Sequence, residues 1–226
     1  MFFKDLIKYI LNKIKYRRKV KFYFTSRINP KSECEGANMI HRNTSFIGKI
    51  GYGSYIGANC SINARIGRFT SIASNCSTIS GIHPYTYPYC VTSPMFFSLN
   101  KQTGHTFAKE QVFKEGRYAD EKTKTSVLIG NDCWINAKVT IISGVKVSDG
   151  AVLLAGSVIT KDVPPYAIVG GVPGRILKYR YSQDDINFLL DFKWWNRDLT
   201  WLRDNWRILL NIEKLKDYAK QYEANQ

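Results

Sequence analysis

Aliphatic residues recur every six positions in the second half of the chain. The series is Ile129, Ile135, Ile141, Val147, Leu153 and Ile159. The residue four positions after each of them is small or β-branched: Cys133, Val139, Val145, Ala151, Ser157 and Val163. A period of six matches neither the roughly 3.6 residues of an α-helical turn nor the alternation of a strand. It predicts a parallel β-helix, in which the chain makes a short flat face about every six residues and then turns a corner.

Stacking of the coils explains why the period is kept. If three hexapeptides complete one triangular coil, each residue lies against the residue 18 positions later, so Ile129 stacks on Val147 and Ile135 on Leu153. Neighbouring coils then pair as parallel strands ~4.8 Å apart. A single coil cannot bury its own face, so several are required. An ordinary β-sandwich would need turn signals at a spacing that this sequence lacks.

A less regular set of coils is predicted over residues 44–82. Three aliphatic residues keep the period: Ile50, Ile56 and Ile62. The frame then slips by four residues to Ile66 and Ile72. A glycine follows the aliphatic residue at Gly51, Gly57 and Gly67. Because glycine adopts positive φ without a steric penalty, we expect tight corners at these glycines.

Composition narrows the class of protein. The 226 residues carry a net charge of +15, and residues 1–31 hold ten Lys or Arg against one acid, Asp5. No nucleic-acid-binding motif accompanies this charge, so no nucleic-acid partner is expected. Apolar runs are too short for a membrane span or a secretory signal. The five cysteines are odd in number and form no C-x-x-C pair, which indicates reduced thiols in a cytoplasmic protein.

The sequence divides into three regions. Residues 1–43 form a basic amphipathic helix and a lead-in, 44–181 the β-helix, and 182–226 the C-terminal helices. A loop at 84–126 interrupts the repeat; it is aromatic and polar and has no period. Long loops in compact repeats commonly bind ligands, so this loop is where we expect substrate contacts. The helical segments are predicted at residues 2–15, 183–192 and 198–220.

The N-terminal helix has two interpretations. Its apolar stripe comprises Phe2, Phe3, Leu6, Ile7, Ile10, Leu11 and Ile14. Four lysines lie outside the stripe: Lys4, Lys8, Lys13 and Lys15. The helix could cap the open end of the β-helix with this stripe. Alternatively, it could lie on the anionic inner face of a membrane, an interpretation that the following basic residues 17–21 favour.

Four motifs resemble a known family. GNDCWI (130–135) and AGSVITKDVPPYAIVGGVPGR (155–175) resemble the hexapeptide-repeat acyltransferases. His83 followed by Thr86-Tyr87-Pro88, and LLDFKWWN (189–196), are similar to the xenobiotic acetyltransferase branch, which includes chloramphenicol and streptogramin acetyltransferases and O-acetyltransferases of bacterial surface glycans. The resemblance covers about 44–215. It implies a left-handed β-helix and a homotrimer that binds acetyl-CoA, and no metal, in clefts between neighbouring subunits.

The resemblance also assigns residues. His83 matches the catalytic histidine of the family. The positions that match contacts to acetyl-CoA are Ala137, Ala155, Thr160, Lys161, Arg175 and Lys178. Loop side chains expected to contact the acceptor are Tyr85, Tyr87 and His105. Trp134 is expected to pack at a corner of the coil.

The chemistry of acetyl transfer suits these residues. An attacking hydroxyl must lose its proton, and imidazole, which titrates near ~6.5, is an effective base in the cytoplasm. Lysine and arginine are suited to the phosphates of CoA. No carboxylate is identified as a partner of His83, although Asp120 and Glu121 in the loop are candidates.

The acceptor stays open between two chemistries. The basic N-terminal helix favours a sugar hydroxyl in a bacterial surface polysaccharide or its lipid-linked precursor at the inner membrane face. An antibiotic such as chloramphenicol or a streptogramin is the alternative, and tyrosines suit either acceptor. A non-catalytic β-helix scaffold is the second alternative. A zinc enzyme on the same fold is not favoured, because the three histidines, His41, His83 and His105, lie outside the regular coils.

Overall fold

A prism of short parallel strands dominates the computed structural model, which describes residues 2–223 and the side chains of residues 6–221. The strands are β1 (Val20–Phe22), β2 (Arg27–Ile28), β3 (Glu33–Cys34), β4 (Asn38–Ile40), β5 (Ser45–Ile50), β6 (Tyr55–Ile56), β7 (Ser61–Ile66), β8 (Ser71–Ile72), β9 (Ser77–Ile79), β10 (Val127–Ile129), β11 (Trp134–Ile135), β12 (Thr140–Ile142), β13 (Lys146–Val147), β14 (Val152–Leu153), β15 (Val158–Ile159), β16 (Ala167–Gly171) and β17 (Gly174–Tyr179). The α-helices are α1 (Phe2–Lys15), α2 (Gln183–Phe192), α3 (Leu199–Asn205) and α4 (Ile212–Glu223).

Parallel pairing arranges the strands as three faces. Face A contains β1, β4, β6, β8, β11, β14 and β16, and the antiparallel β17 closes it. Face B contains β2, the first halves of β5 and β7, then β9, β12 and β15. Face C contains β3, the second halves of β5 and β7, then β10 and β13. This confirms the predicted mainly β class, a left-handed parallel β-helix with terminal helices.

The predicted 18-residue register is confirmed in the second half of the chain. Ile129 pairs with Val147, and Ile135 pairs with Leu153. These aliphatic side chains are almost completely buried in one continuous core. Each additional coil therefore extends the same core.

The slip of four residues reflects coils that omit one corner. Strand β7 runs for six residues directly from face B to face C, with Ile62 and Ile66 both pointing inward. The coil shortens accordingly, because Ile56 pairs with Ile72, 16 residues later. The slip is thus built into β5 and β7, and the inward residues on both sides of it stay buried.

The coils begin earlier than the sequence analysis placed them. Strand β1 already pairs with β4, with Val20 opposite Asn38, so parallel strands begin at Val20, within the predicted lead-in 1–43. A sequence signal for these coils exists. Five inward residues are spaced by six: Phe22, Ile28, Cys34, Ile40 and Phe46.

The prediction that three glycines adopt positive φ at tight corners is wrong. Gly51, Gly57 and Gly67 do not have positive φ. They are required because a Cβ atom there would lie about 2.5 Å from backbone of the next coil, 2.5 Å from the carbonyl carbon of Gly130 in the case of Gly67. The left-handed residues are elsewhere. Between faces A and B they include a ladder of asparagines, Asn43, Asn59 and Asn75.

The C-terminal helices form a second, smaller core. Helix α2 has the predicted bounds, but the helix predicted at 198–220 is broken into α3, a 3-10 turn (Ile208–Leu210) and α4. Trp195 is buried with Tyr166 and Leu189 from the preceding segments and Leu215 of α4. The aromatic stripe of these segments therefore fixes them against a corner of the β-helix.

Helix α1 covers the first strands, although not with the predicted stripe. Asn12 Nδ2 donates to the carbonyl of Ile28 (3.0 Å) and the Tyr16 hydroxyl donates to the carbonyl of Ser32 (2.6 Å). Four aliphatic residues of the stripe, Ile7, Ile10, Leu11 and Ile14, face solvent, and Leu6 is half-buried; the side chains of Phe2 and Phe3 lie outside the described residues. Among the described residues, no helix combines the length and apolarity needed to cross a membrane.

The cysteines do not form disulfides. Cys60, Cys76 and Cys133 point into the β-helix, whereas Cys90 is exposed in the long loop. Burial raises the pKa of the Cys133 thiol to about 12, so this side chain stays protonated. The three buried thiols therefore act as small core residues.

Candidate active site

The long loop leaves the β-helix at the corner between faces B and C. Strand β9 ends on face B and β10 begins on face C, so the intervening residues project outward from this corner. A bridge between Gly81 and Gly116 closes the base of the loop. The loop is therefore held at both ends by the rigid coils.

His83 lies just beyond this bridge, exposed to solvent. Its Nδ1 is 2.8 Å from the carbonyl oxygen of Thr92, and its ring contacts Phe97 edge-on at 5.6 Å. Because a carbonyl oxygen can only accept, Nδ1 carries the proton and Nε2 is left with a lone pair. The arrangement fixes both the orientation and the tautomer of the imidazole.

Aromatic packing gives the loop a small core of its own. Phe97 is buried and packs edge-on against Phe113 at 5.6 Å, and Phe113 in turn contacts Tyr89 at 5.5 Å. Since Phe97 also supports the ring of His83, this cluster holds the histidine in place.

Glu115 is the polar centre of the loop. Its carboxylate accepts hydrogen bonds from Ser98, Asn100, Gln102 and Gln111. Partial burial raises the pKa of this carboxyl, but the four hydrogen bonds together lower the pKa by more than burial raises it. The pKa of Glu115 therefore lies below the ordinary value. Its backbone carbonyl accepts from the N–H of Ile82 (3.0 Å), the residue that precedes His83.

The two carboxylates considered as partners of His83 have other partners. Asp120 accepts from the hydroxyl of Thr123 (2.8 Å), and Glu121 pairs with Lys114 (2.7 Å). The group that orients His83 is the backbone carbonyl of Thr92. Residue types could not reveal it, because every residue has such a carbonyl.

The expected acceptor contacts lie on the outside of the same loop. Tyr85 is 81% exposed and Tyr87 96% exposed. His105 is also exposed, with its ring 6.4 Å from that of Phe107. All three side chains are available to a ligand that approaches the loop.

The alanines predicted to contact the pantetheine arm stack at a different corner. Ala137 and Ala155 lie in the turns between faces A and B, and the N–H of Gly156 donates to the carbonyl of Ala137 (2.9 Å). Within one chain, these alanines and His83 lie at opposite edges of face B. Within one chain, a site that uses both would have to span the width of face B.

The predicted cationic residues are only partly brought together. Lys161 and Arg175 line one cavity of about 310 Å³ between the end of β15 and the start of β17, and Thr160 is adjacent in sequence. Lys178 lines a separate cavity of about 520 Å³ with Trp134. Trp134 lies within β11 and points outward, not at a corner as predicted.

Comparison with known proteins agrees with this geometry. Residues 126–161 match the family model for the bacterial transferase hexapeptide (six repeats). Over 202 residues the chain is 34% identical to a chloramphenicol acetyltransferase of Morganella morganii, covering 88% of this chain and 85% of that protein. The chain belongs to the hexapeptide-repeat acyltransferases. It lies in their xenobiotic acetyltransferase-like branch and is an enzyme, an acetyltransferase.

The chain is also similar to another curated protein and to a solved structure. The galactoside O-acetyltransferase of Escherichia coli (strain K12) is 36% identical over 91 residues, which are 40% of this chain and 42% of that protein. The solved structure of a mutant of AntD, an N-acyltransferase from Bacillus cereus in complex with dTDP and coenzyme A, superposes with a TM-score of 0.57. It is 17% identical and covers 80% of this chain and 94% of that chain, which supports the fold alone.

One polar cluster of this acetyltransferase was missed by the sequence analysis. Arg180 donates to Asp132 Oδ2 (3.0 Å) and to the carbonyl of Gly150 (2.8 Å), and it packs over the ring of Tyr166. Burial raises the pKa of Asp132 although Arg180 lowers it. The cluster ties β17 to a corner of the coils. Asp132 and Arg180 are 48 positions apart and no sequence pattern links them, so only the fold reveals this cluster.

Proposed function

We propose that this acetyltransferase moves an acetyl group from acetyl-CoA to a hydroxyl of a sugar in a bacterial surface polysaccharide or its lipid-linked precursor. His83 is the general base. The observation that carries the proposal is the hydrogen bond between His83 Nδ1 and the Thr92 carbonyl, which leaves Nε2 as a fixed, solvent-facing proton acceptor.

The imidazole has two tasks in this reaction. Nε2 takes the proton of the acceptor hydroxyl as its oxygen attacks, and it returns that proton to the departing sulfur. When bound, acetyl-CoA supplies the acetyl group as a thioester. The imidazolium formed in between is stabilised by the Thr92 carbonyl, toward which its Nδ1–H points.

The residues proposed to hold acetyl-CoA fit its chemistry. Lys161 and Arg175 bring two cations to one cavity, as the CoA phosphates require. The small side chains of Ala137 and Ala155 leave room for the pantetheine arm at the corner of the coils. Thr160 and Lys178 complete the proposed set, Lys178 from the neighbouring cavity. No metal has a part in this scheme.

We infer a homotrimer from the positions of these groups. His83 and the two alanines lie at opposite edges of face B, which supports a cleft to which neighbouring subunits contribute. The outer side of face A also carries an apolar row of paired residues, Trp134, Val152 and Ile168, that suits contact between subunits.

Exposed side chains of the long loop support a sugar as the acceptor. Tyr85 and Tyr87 offer exposed aromatic faces on which sugar rings can stack, and His105 offers a hydrogen bond. The second candidate is chloramphenicol or a similar antibiotic. The chloramphenicol acetyltransferase of Morganella morganii is matched over 85% of its length, and this similarity favours the second candidate. We place the enzyme in the cytoplasm, at the inner membrane face where a lipid-linked glycan would be accessible.

The test is acetyl transfer by wild type and two loop-histidine variants. Release of free CoA thiol is followed with a panel of sugars, lipid-linked glycan precursors, chloramphenicol and a streptogramin. His83→Ala should lower kcat about 10²–10⁴-fold, while the matched His105→Ala changes chiefly KM for the acceptor.

The outcomes separate the candidates. Transfer to sugars alone supports the glycan assignment, and transfer to chloramphenicol alone replaces it with the antibiotic. If His83→Ala kept kcat within threefold, the histidine would not be the base. Absence of transfer to every acceptor, together with absence of acetyl-CoA binding, would favour the non-catalytic scaffold.

A further inference from the structure

Helix α1 packs on the β-helix with its polar and aromatic side and leaves its aliphatic side uncovered. Tyr9, Asn12 and Tyr16 face the first coil, where Asn12 and Tyr16 are buried and hydrogen bonded. The exposed aliphatic side chains are Ile7, Ile10, Leu11 and Ile14. Capping of the coils and exposure of the stripe are therefore compatible, because they use opposite sides of one helix.

The exposed residues form one continuous stripe. At about 100° per residue, Ile7, Ile10, Leu11 and Ile14 fall within an arc about 100° wide, opposite the arc of the buried residues. Leu11 is 57% exposed and Ile14 69% exposed, which are high values for aliphatic residues in a folded helix. A solvated helix of a stable protein ordinarily turns its charged side outward.

Charged residues around the stripe indicate the chemistry of the partner. Exposed cations lie beside the stripe at Lys8 and in the turn that follows α1, at Arg17, Arg18 and Lys19. The next acids in the chain, Glu33 and Glu35, are already paired with Lys49 (2.8 Å) and Arg68 (2.7 Å). The positive charge at this end of the molecule is therefore not neutralised by these acids.

Two aromatic residues extend the apolar surface. Tyr23 and Phe24 follow β1 and are about 40% exposed at the same end of the β-helix; Phe24 also contacts Tyr9 of α1 at 5.3 Å. Aromatic side chains at the edge of an apolar surface are typical of segments that lie at the boundary between lipid headgroups and acyl chains.

We propose that α1 docks the protein onto an anionic lipid bilayer. Its aliphatic stripe enters the headgroup region while Lys8 and the cations after the helix contact lipid phosphates. The charge complementarity selects lipid over a second copy of the chain, since two copies would bring the same positive segments together. The docking does not depend on the identity of the acceptor.

The experiment is sedimentation of the full-length protein with vesicles of phosphatidylcholine and phosphatidylglycerol, and with vesicles of phosphatidylcholine alone. Leu11→Ser combined with Ile14→Ser should weaken partitioning onto anionic vesicles at least about tenfold. The matched control combines Leu199→Ser and Leu210→Ser, which are 44% and 75% exposed on the C-terminal segment.

Charge is tested in the same assay. Lys8→Gln combined with Lys19→Gln should weaken binding to anionic vesicles and leave the weak binding to neutral vesicles unchanged. Raising the salt concentration should have the same effect as this variant, because it screens exposed charges.

Each alternative outcome overturns the proposal. Wild type that fails to bind anionic vesicles, or an α1 variant that binds as well as the control, excludes docking through the stripe. An altered oligomeric state of the α1 variant in sedimentation velocity would show instead that a second copy covers the stripe. Acetyl transfer to a water-soluble acceptor should be unchanged in the α1 variant, so failure here is distinct from failure of the proposed function.

Discussion

Gly67 directly follows β7 and faces Gly130 of the next coil without room for a side chain. A Cβ atom on Gly67 would lie 2.5 Å from the carbonyl carbon of Gly130 and 2.6 Å from Asn131 Oδ1. Two hydrogen bonds join the coils at this point, Gly67 N–H to the Ile129 carbonyl (2.8 Å) and Arg68 N–H to Asn131 Oδ1 (2.7 Å). Replacement of Gly67 by alanine therefore tests whether coil-to-coil contact, not backbone conformation, requires this glycine.

The size of the effect follows from the contact. Non-bonded heavy atoms normally approach no closer than about 3.5 Å, so the two coils must separate locally by about 1 Å. Overpacking of this kind costs about 1–3 kcal/mol, and each stretched hydrogen bond costs about 1 kcal/mol more. We expect Gly67→Ala to lower the free energy of unfolding by about 3–5 kcal/mol, which for a chain of this length corresponds to a Tm about 6–20 °C lower.

Thermal unfolding followed by circular dichroism measures this change, with Gly81→Ala as the matched control. No atom lies within 4 Å of the Cβ position of Gly81, and its φ is not positive, so alanine is accommodated there. The control should unfold within about 0.5 kcal/mol of wild type. Equal melting of Gly67→Ala and wild type would refute the contact argument.

Three other predictions concern the loop, the assembly and the donor site. The pKa of Glu115 is lowered in the folded loop, so its stabilisation is present above the ordinary glutamate pKa near ~4.3 and is lost as the pH falls through the lower folded value. Intrinsic-rate-corrected hydrogen exchange of the loop amides should accelerate over that range, and Glu115→Gln should remove the pH dependence. Trp134→Ala should weaken subunit association in sedimentation velocity, whereas Trp206→Ala, equally exposed at 52% against 51%, should not. Arg175→Ala should raise the Kd for acetyl-CoA about tenfold or more, the loss of one charge-assisted phosphate contact.

The sequence predicted the regular coils because their pattern is local. The spacing of six from Ile129 to Ile159 is uninterrupted, so the register could be written before the fold was known. The first coils were placed too late because the prediction started from Ile50, although the same spacing runs from Phe22 to Phe46. Corners skipped within β5 and β7 obscured the continuity between the two series.

The active-site loop could be located but not built from the sequence. The loss of period marked its position, and the resemblance singled out His83. The orienting group is the backbone carbonyl of Thr92, which residue types cannot reveal. Asp120 and Glu121 are chemically suitable carboxylates, yet nearer partners occupy both. Contacts of this kind depend on the path of the loop, which no periodic pattern fixes.

Calorimetric titration of the purified protein with acetyl-CoA tests the central claim most directly. We predict saturable binding near one site per chain, weakened by Arg175→Ala but not by Arg203→Ala, which replaces an exposed arginine of α3. The histidine variant His83→Ala should bind acetyl-CoA as wild type does. A folded protein that binds no acetyl-CoA would contradict the assignment of acetyl-CoA as the donor.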